Sequence, residues 1–294
     1  MPAPLHLVVP QHAMQPEGLG VYEGRARGLS RIALLDRATG SVHVGYAMNT
    51  LAPGGEIERC LHAYEKAIYV IEGALELERD GYLFALPAGG YALVSTALPH
   101  ALRNAGGTPA RWVEVCAPQP KPADGWQDTF FLGPADWRGA QEGPPLGDPR
   151  ARLIGRSEGT MPPGADMHGD LRGFSIKHFL NAEAGAVHLT MFTVEFAHGG
   201  LCNHHDHPFE EAYLILDGSV DVVFDGRRYT LARGDFAWTG VGSRHAFFPA
   251  EGRPVRWLEI QAPQPPVQNG IRWHARWEEL ARSIIARTKR RAAE

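Results

Sequence analysis

The feature that most constrains the fold of this chain is an internal repeat. When the 294-residue sequence is shifted by 145 residues, Gly54-Gly55 falls on Gly199-Gly200, and about sixty positions align without a gap. The same shift superimposes Gly73 on Gly218, His100 on His245, Arg111-Trp112 on Arg256-Trp257, and Ala117-Pro118-Gln119-Pro120 on Ala262-Pro263-Gln264-Pro265. We therefore predict a tandem duplication with one domain per copy, since a chain of this length can bury two ordinary cores.

Within each copy the local pattern predicts β-structure. The runs Ala67–Ile71 and Ala212–Leu216 are short and rich in β-favouring residues, and each is followed by a Glu-Gly or Asp-Gly turn. Alternating stretches follow at Leu75–Glu78 and Val220–Phe224, and each leads to another glycine turn. Together with 34 glycines and 23 prolines, this spacing predicts an all-β chain of closed barrels or sandwiches.

The composition of the remaining segments sets the predicted domain bounds. We place the first domain at residues 1–120, a Pro/Gly-rich crossover at 121–165, and the second domain at 166–275. Apolar residues at helical spacing predict a capping C-terminal helix at 276–294 with a basic end. Those apolar residues are Trp277, Leu280, Ala281, Ile284 and Ile285.

Charge and cysteine content exclude several classes of function. The formal net charge of −4 offers no basic surface, so neither nucleic acid nor an anionic membrane is an expected partner. No apolar run approaches the ~20 residues of a membrane-spanning helix, and the first residues lack a secretion-signal pattern. Three cysteines without a closely spaced pair indicate free thiols in a reducing compartment. We therefore expect a cytoplasmic protein.

The second copy contains residues with the spacing of metal ligands. His205 and His207 are two residues apart and so share one face of a strand, and Glu211 can return to that face after a turn at Pro208. His245 follows one hairpin later. Three imidazoles and one carboxylate form a mixed nitrogen and oxygen site for one divalent ion. Mn, Fe and Ni are the main candidates, with Zn, Co and Cu as alternatives.

These residues match the pattern of a known family. The order Gly199, five residues, His205-x-His207, three residues, Glu211, six residues and Gly218 resembles the first motif of the cupin family. Gly234, ten residues and His245 resemble the second motif, with Gly240 where a proline is common. The resemblance implies two tandem jelly-roll β-barrels, a bicupin. It also implies a homo-oligomer, because cupins commonly associate through barrel edges.

The first copy has different chemistry at the corresponding positions. The shift places Cys60, His62, Lys66 and His100 where the second copy has His205, His207, Glu211 and His245. Lys66 would have to lose its proton, at a cost in free energy, before it could bind a cation. We therefore predict a degenerate, structural first barrel in which Glu65 can pair with Lys66. A soft metal held by the other three residues is the alternative.

Strand parity suggests which residues form the wall of a substrate pocket. Tyr213 and Ile215 share a face with Glu211, and Phe247 shares one with His245. For each of them, ordinary barrel packing is the alternative role.

Other neighbours of the ligands are assigned by their position and chemistry. Phe209, Trp238 and Arg244 are candidates for the rim of the pocket, where Arg244 could pair with a substrate carboxylate. His204 has the opposite parity to His205 and is not an expected ligand, and Glu210 is expected to face outward.

Three hypotheses on function remain open. In the first, a metal-dependent hydrolase acts on a small polar or anionic chelating substrate, since the architecture resembles ureidoglycine aminohydrolase. That family, however, has the ligand order Glu-x-His, His and Gln. In the second, the protein is an Fe-, Ni- or Mn-dependent dioxygenase or decarboxylase, because its ligand set resembles that of cupin dioxygenases. In the third, it is a non-catalytic binder of small molecules. Open coordination positions favour an enzyme, and no catalytic residue beyond the ligands is identified.

Overall fold

The regular structure of this protein is almost entirely β. The computed structural model describes residues 5–121, 127–167, 170–250, 254–266 and 270–274. In these residues, short 3-10 helices occur at Gln11–Ala13, Gly20–Tyr22 and Pro149–Ala151. The predicted all-β fold is therefore confirmed, whereas the predicted helix at 276–294 lies outside the described residues.

The strands fall into two series with corresponding positions. In chain order they are β1 (His6–Val9), β2 (Ala26–Leu35), β3 (Gly45–His62), β4 (Glu65–Glu72), β5 (Ala74–Arg79), β6 (Tyr82–Pro87), β7 (Gly90–Val94), β8 (His100–Arg103), β9 (Ala110–Ala117), β10 (Thr129–Gly133), β11 (Gln141–Glu142), β12 (Ile154–Arg156), β13 (Ala165–Met167), β14 (Leu171–Leu180), β15 (Thr190–Asp206), β16 (Glu210–Asp217), β17 (Ser219–Phe224), β18 (Arg227–Ala232), β19 (Phe236–Thr239), β20 (His245–Pro249), β21 (Val255–Ala262) and β22 (Arg272–Trp273). Strands β2 to β9 correspond to β14 to β21 under the shift of 145 residues.

Each series forms one curled sheet of eleven strands. The first has the order β11-β6-β5-β8-β3-β9-β4-β7-β12, with β2 and β10 also paired to β3. The second has the order β1-β19-β16-β21-β15-β20-β17-β18, with β14 and β22 paired to β15 and β13 paired to β14. The long strands β3 and β15 each pair with several others, so each is the central element of its barrel.

Two of the repeated glycines are required by the packing at a turn. Gly73 and Gly218 have φ angles of +71° and +74°, and each lies where one hairpin begins. A Cβ atom would lie 2.5 Å from the carbonyl oxygen of Pro109 at Gly73 and 2.4 Å from that of Pro254 at Gly218. Any side chain would therefore clash with the backbone, in a conformation that already favours glycine.

Several strands pair across the predicted domain bounds. Strand β1 belongs to the predicted first domain but pairs with β19 of the second sheet, from His6 opposite Thr239 to Val9 opposite Phe236. Strands β10, β11 and β12 belong to the predicted crossover and pair with β3, β6 and β7 of the first sheet. The apolar residues Phe130–Leu132 thus lie within strand β10, and the domain bounds themselves stay a prediction.

The two barrels share an apolar core. One cluster of buried residues includes Tyr46 and Tyr69 of the first copy together with Phe236 and Trp238 of the second. The rings of Tyr46 and Phe236 are 4.6 Å apart between centroids. Each barrel also has a core cluster of its own, so the chain buries three apolar clusters in all among the residues described.

Reciprocal hydrogen bonds join the barrels at the edge of this core. Glu210 is buried, and its carboxylate accepts hydrogen bonds from the hydroxyl group of Ser41 at 2.6 Å and from the backbone amides of Val42, His43 and Val44. Its counterpart Glu65 accepts from the amides of Val187 and His188, at 2.9 and 2.7 Å.

These contacts correct two predictions from the sequence. Glu210 does not face outward, and Glu65 does not pair with Lys66. Strand parity correctly predicts that both acids point away from the barrel interior, but that face of each strand is covered by a loop of the other barrel. A carboxylate can be buried there because several backbone amides compensate for the lost hydration.

No helix among the described residues is long and apolar enough to cross a membrane.

Candidate metal centre

Four side chains of the second barrel converge in its interior. His205 is near the end of β15, His207 follows that strand, Glu211 is near the start of β16, and His245 begins β20. Antiparallel pairing of β15 with β20 places His205 directly opposite His245. All four residues are buried. The sequence spacing and the barrel closure together produce this convergence.

The distances within the group are short enough for a shared ligand. Oε2 of Glu211 lies 3.1 Å from Nε2 of His207 and 3.1 Å from Nε2 of His245, and these two nitrogens are 3.2 Å apart. The ring centroid of His205 lies 4.2 Å from that of His245. Ligand atoms of the three histidines all lie within 4.8 Å of one another.

Backbone carbonyl groups fix the orientation of the three imidazole rings. Nδ1 of His205 lies 2.7 Å from the carbonyl oxygen of Asn203, and Nδ1 of His245 lies 2.9 Å from that of Ser243. Nδ1 of His207 faces the carbonyl oxygen of Gly270 at 3.3 Å. A carbonyl oxygen can only accept, so Nδ1 of each ring carries a proton and donates it, and Nε2 is the nitrogen left to bind a metal ion once it has no proton of its own.

The carboxylate of Glu211 is held by two side chains. The hydroxyl group of Tyr213 donates to its Oε2 atom, and Nε2 of Gln261 donates to its Oε1 atom at 2.8 Å. Gln261 also donates to Oε1 of Glu259 at 3.1 Å, and Nε1 of Trp257 donates to Oε2 of Glu259 at 2.9 Å. The carboxylate is thereby held with Oε2 facing the histidines.

The two buried acids have opposite shifts in pKa. Burial by itself would raise the pKa of Glu211, but His207 and His245 outweigh it and hold the pKa well below its ordinary value. Burial raises the pKa of Glu259 well above its ordinary value, and the adjacent charge of Glu211 adds to this effect. Burial also lowers the pKa of His205, assisted by His245 and His207. The site thus favours an ionised Glu211 beside a neutral imidazole of His205.

This donor set fits a divalent transition metal. Three imidazole nitrogens with fixed orientation and one ionised carboxylate could bind such an ion, and the mixed nitrogen and oxygen chemistry is suited to Mn, Fe, Co or Ni. Hydrogen bonds to the outer nitrogen of each ring are typical of histidines that bind metals. The ligand roles of these four residues stay a prediction, and so does the identity of the ion.

A cavity of about 100 Å³ opens beside the cluster. Tyr213 and Phe247 line it together with His205, His207 and Glu211. Two of the six residues proposed for the wall or rim therefore lie at the cavity, and their role in binding a substrate stays a prediction.

Three of the other four proposed residues lie elsewhere. Ile215 is four residues beyond Glu211 on β16, about 13 Å along a strand, and it packs in the barrel core. Trp238 pairs with Ala212, which has the opposite parity to Glu211, and it is buried in the core shared by the two barrels. Arg244 precedes His245 and is exposed. Parity alone does not fix depth along a strand, which explains why Ile215 lies outside the cavity.

Phe209 and His204 are the remaining neighbours of the predicted ligands. The ring of Phe209 stacks on that of His207 with centroids 4.4 Å apart and an interplanar angle of 15°. His204 lies outside the cluster, as its parity predicts, and its ring is 6.3 Å from that of Phe248.

The first barrel has a related cluster at the equivalent place. Sγ of Cys60 lies 3.7 Å from Nε2 of His62 and 3.9 Å from Nε2 of His100. Nδ1 of His62 contacts the hydroxyl oxygen of Thr129 at 3.0 Å, and Nδ1 of His100 contacts the carbonyl oxygen of Leu98 at 3.2 Å. The three potential ligand atoms lie within 4.8 Å of one another, so this cluster is a second candidate site.

A buried ion-pair network surrounds that cluster. Nζ of Lys66 lies 3.1 Å from the hydroxyl oxygen of Tyr22 and 3.9 Å from Oε2 of Glu114. Nη1 of Arg31 lies 2.7 Å from Oε1 of Glu114. Tyr22 is 1% exposed, so its ring occupies the interior of the first barrel. This network occupies the position of the predicted metal ligand Glu211 with a cationic side chain, as the prediction of a degenerate first barrel assumes. The structural role of that barrel stays a prediction.

Sequence reasoning missed four residues that shape the two interiors. Glu114 and Glu259 correspond under the shift of 145 residues, and both are acids within apolar strands. This repetition in the sequence could have identified them as buried acids. Gln261 is two residues from Glu259 and shares its face of β21. Tyr22 lies outside the aligned part of the repeat, and no sequence pattern connects it with Lys66.

Comparison with known proteins identifies the same repeated unit. The family model described as the cupin domain matches the chain twice, at residues 47–116 and 192–261. A segment of 122 residues is 34% identical to polyketide synthase CurC of Streptomyces cyaneus, and it covers 40% of this chain and 79% of that protein.

Several solved structures have the same fold. Salicylate 1,2-dioxygenase from Pseudaminobacter salicylatoxidans has a TM-score of 0.65 at 14% identity, over 87% of this chain and 83% of its own. Oxalate decarboxylase from Lactobacillus farciminis has a TM-score of 0.62 at 14% identity, over 92% and 88%. Protein YlbA from E. coli has a TM-score of 0.61 at 16% identity, over 90% and 93%. At these identities the similarity shows the fold alone.

Proposed function

Since this chain belongs to the cupin family and contains the cupin domain twice, we propose that it is a metal-dependent enzyme with its reaction site in the second barrel. We further propose that the reaction is that of a dioxygenase. The first barrel then has a structural role, and the second provides His205, His207, Glu211 and His245 as metal ligands.

One observation carries the proposal. His207 and His245 each place Nε2 3.1 Å from the carboxylate of Glu211, which lines a largely apolar cavity together with His205, while the Nδ1 atoms of all three histidines are engaged by backbone carbonyl groups. A bound redox-active divalent ion would supply open coordination positions for a chelating substrate and for O₂. The named relatives include a dioxygenase and a decarboxylase, which defines the two reaction classes to compare.

The residues around the ligands have separable tasks in this proposal. Tyr213 and Gln261 hold the carboxylate of Glu211 in one orientation. Phe209 limits rotation of the His207 ring by stacking on it. The apolar wall that includes Phe247 excludes water from the reacting groups. In a dioxygenase reaction both atoms of O₂ enter the product, so the substrate supplies the electrons and no other reductant is needed.

The remaining hypotheses predict different measurements. Neither the described contacts nor the relatives named above favour the aminohydrolase over oxygen chemistry. A decarboxylase would release CO₂ without net consumption of O₂, and a non-catalytic binder would convert nothing.

The test measures metal content and oxygen consumption together. The protein is loaded with Fe(II) without oxygen, freed of excess metal and assayed for iron per chain, and then supplied with ¹⁸O₂ and candidate substrates. We expect one ion per chain, and two labelled oxygen atoms in the product. His245→Asn should abolish both results, whereas the matched variant His100→Asn in the first barrel should preserve them. Retention of iron with CO₂ release and no label would contradict the dioxygenase and indicate the decarboxylase.

The proposed homo-oligomer is tested separately by light scattering, where a monodisperse monomer would refute it.

A further inference from the structure

We infer that the cavity beside Glu211 accepts an uncharged aromatic ring with two adjacent oxygen substituents, and not a small dicarboxylate. This inference rests on the proposed function, because it names the substrate class of the same site. The charge, the wall and the size of the cavity each support it.

The charge of the cavity disfavours a dianion. Glu211 and Glu259 both line it, and none of the described lining residues is Lys or Arg. Arg272, on the neighbouring strand β22, instead contacts Asp206 with Nη2 2.6 Å from Oδ2. A dicarboxylate would therefore lose its hydration beside the ionised Glu211, and no cationic side chain among the described lining residues would assist a bound metal ion in compensating its two charges.

Aromatic rings form much of the cavity wall. The rings of Phe247 and Trp257 stack with centroids 5.3 Å apart and an interplanar angle of 12°. Phe196 meets Trp257 edge-on at 4.9 Å, and the ring of Trp273 lies 5.0 Å from that of His205. Such a wall favours a flat apolar ligand, which can stack or meet these rings edge-on.

The volume limits how much of a ligand can enter. The cavity holds about 100 Å³, compared with the ~150 Å³ of an engineered apolar cavity that binds benzene. One ring can therefore enter only in part, and larger substituents must remain outside. Ile271 lines the cavity and is 39% exposed, so it marks the open side.

The polar groups of the cavity lie together, so they could contact two adjacent oxygen atoms of a bound ligand. They are the ligand residues and their hydrogen-bond partners, which include Gln261 and Tyr213. A ring that enters with its oxygen atoms first would place them among these groups and leave its carbon face against the aromatic wall. Two adjacent oxygens can also occupy two open positions of one ion.

The first barrel shows how the same scaffold accommodates charge. Position 31 is arginine there, and its guanidinium group pairs with Glu114, whereas the corresponding position in the second barrel is Ile176. Ile176 lines the cavity beside Glu259, the counterpart of Glu114. Introduction of arginine at position 176 should therefore bring a positive charge into the cavity with a geometry that this chain already uses.

The experiment compares two probes that both offer adjacent oxygen atoms, catechol and oxalate. Their binding to the metal-loaded protein is measured without oxygen by calorimetry. We expect catechol to bind at least tenfold more tightly than oxalate. Ile176→Arg should lower this preference by tenfold or more. Ser175→Arg, which adds the same charge on the opposite face of β14, should leave it within about twofold.

The possible results separate this inference from the proposed function. Equal or tighter binding of oxalate to a protein that retains its metal overturns the substrate class and leaves the metal site intact. If no metal is retained, the proposed function fails, and the two probes are compared on metal-free protein by ligand-observed NMR. Contact with catechol but not oxalate would then still support the inferred cavity, and contact with neither would overturn it.

Discussion

The hydroxyl oxygen of Tyr22 lies 3.1 Å from Nζ of Lys66 in the interior of the first barrel. The same hydroxyl group donates to Oε2 of Glu114 at 2.9 Å, so that phenol, ammonium and carboxylate form one buried network. Lys66 occupies the position of Glu211 in the second barrel. The first barrel thus compensates its central charge with protein groups, where the second would use a metal ion.

The first prediction concerns metal stoichiometry. Because Lys66 places a positive charge next to Cys60, His62 and His100, we expect this cluster to remain without a divalent ion. Elemental analysis after loading and desalting should give one ion per chain, and Cys60→Ser should not change that value. Two ions in the native protein and one in Cys60→Ser would contradict the prediction and assign a metal to the first barrel.

The second prediction compares two neighbouring acids on β16. Glu211→Gln removes the carboxylate that faces His207 and His245, so the dissociation constant for the metal should rise by about 100-fold or more. Glu210→Gln changes an acid that contacts the other barrel, so it should leave that constant within about threefold. Both are measured by competition with a chelator of known affinity. Equal effects in the two variants would show that Glu211 is not a ligand.

The third prediction concerns the support of Glu211. Tyr213→Phe removes the hydroxyl group that donates to Oε2 and should weaken metal binding by about 10- to 100-fold, as is typical for partners of ligands. A purely structural role would instead lower the free energy of unfolding of the metal-free protein and leave metal affinity unchanged. Chelator competition and urea denaturation therefore distinguish the two roles.

The fourth prediction concerns the junction of the barrels. Glu65→Gln removes the charge that accepts hydrogen bonds from the amides of Val187 and His188, and it should lower the free energy of unfolding by about 1.5–3 kcal/mol. Glu72→Gln is the control, because its ion pair with Arg111 is exposed and should contribute less than about 1 kcal/mol. Urea denaturation measures both, and equal values would refute the assigned role of Glu65.

The fifth prediction concerns pH. Burial, together with Lys66, lowers the pKa of His62 and of His100 below the ordinary value of about 6.5. Below that pH the unfolded chain binds protons that the folded chain does not, so the free energy of unfolding decreases as the pH falls. Each histidine contributes up to ~1.4 kcal/mol per pH unit, and neither contributes to the slope well above pH 6.5.

Denaturation of the metal-free protein between pH 7 and pH 5 tests this slope. His62→Asn should make the slope shallower, because one titrating group has been removed, and this holds whatever the stability of the variant at neutral pH. An unchanged slope would show that His62 is not responsible for it.

Much of the fold could be predicted because its signals are local or repeated. The correspondence of Gly73 with Gly218 reflects turns that exclude any side chain, and the short alternating runs reflect the two-residue period of a strand. The same period explains why His205 and His207 could be assigned to one face. The sequence could not place residues whose surroundings come from elsewhere in the chain, such as Ile215, Trp238 and Arg244, which do not line the cavity.

The sequence by itself determined the duplication, the β-character of both copies and the set of four candidate ligands, because each depends on spacing along one strand or on comparison of one copy with the other. Only the tertiary structure decided that Glu210 is buried against Val42, that Tyr22 occupies the first barrel, and that the second has an aromatic cavity without a described cationic side chain. Those outcomes depend on contacts between residues far apart in the chain, where neither parity nor propensity specifies the partner.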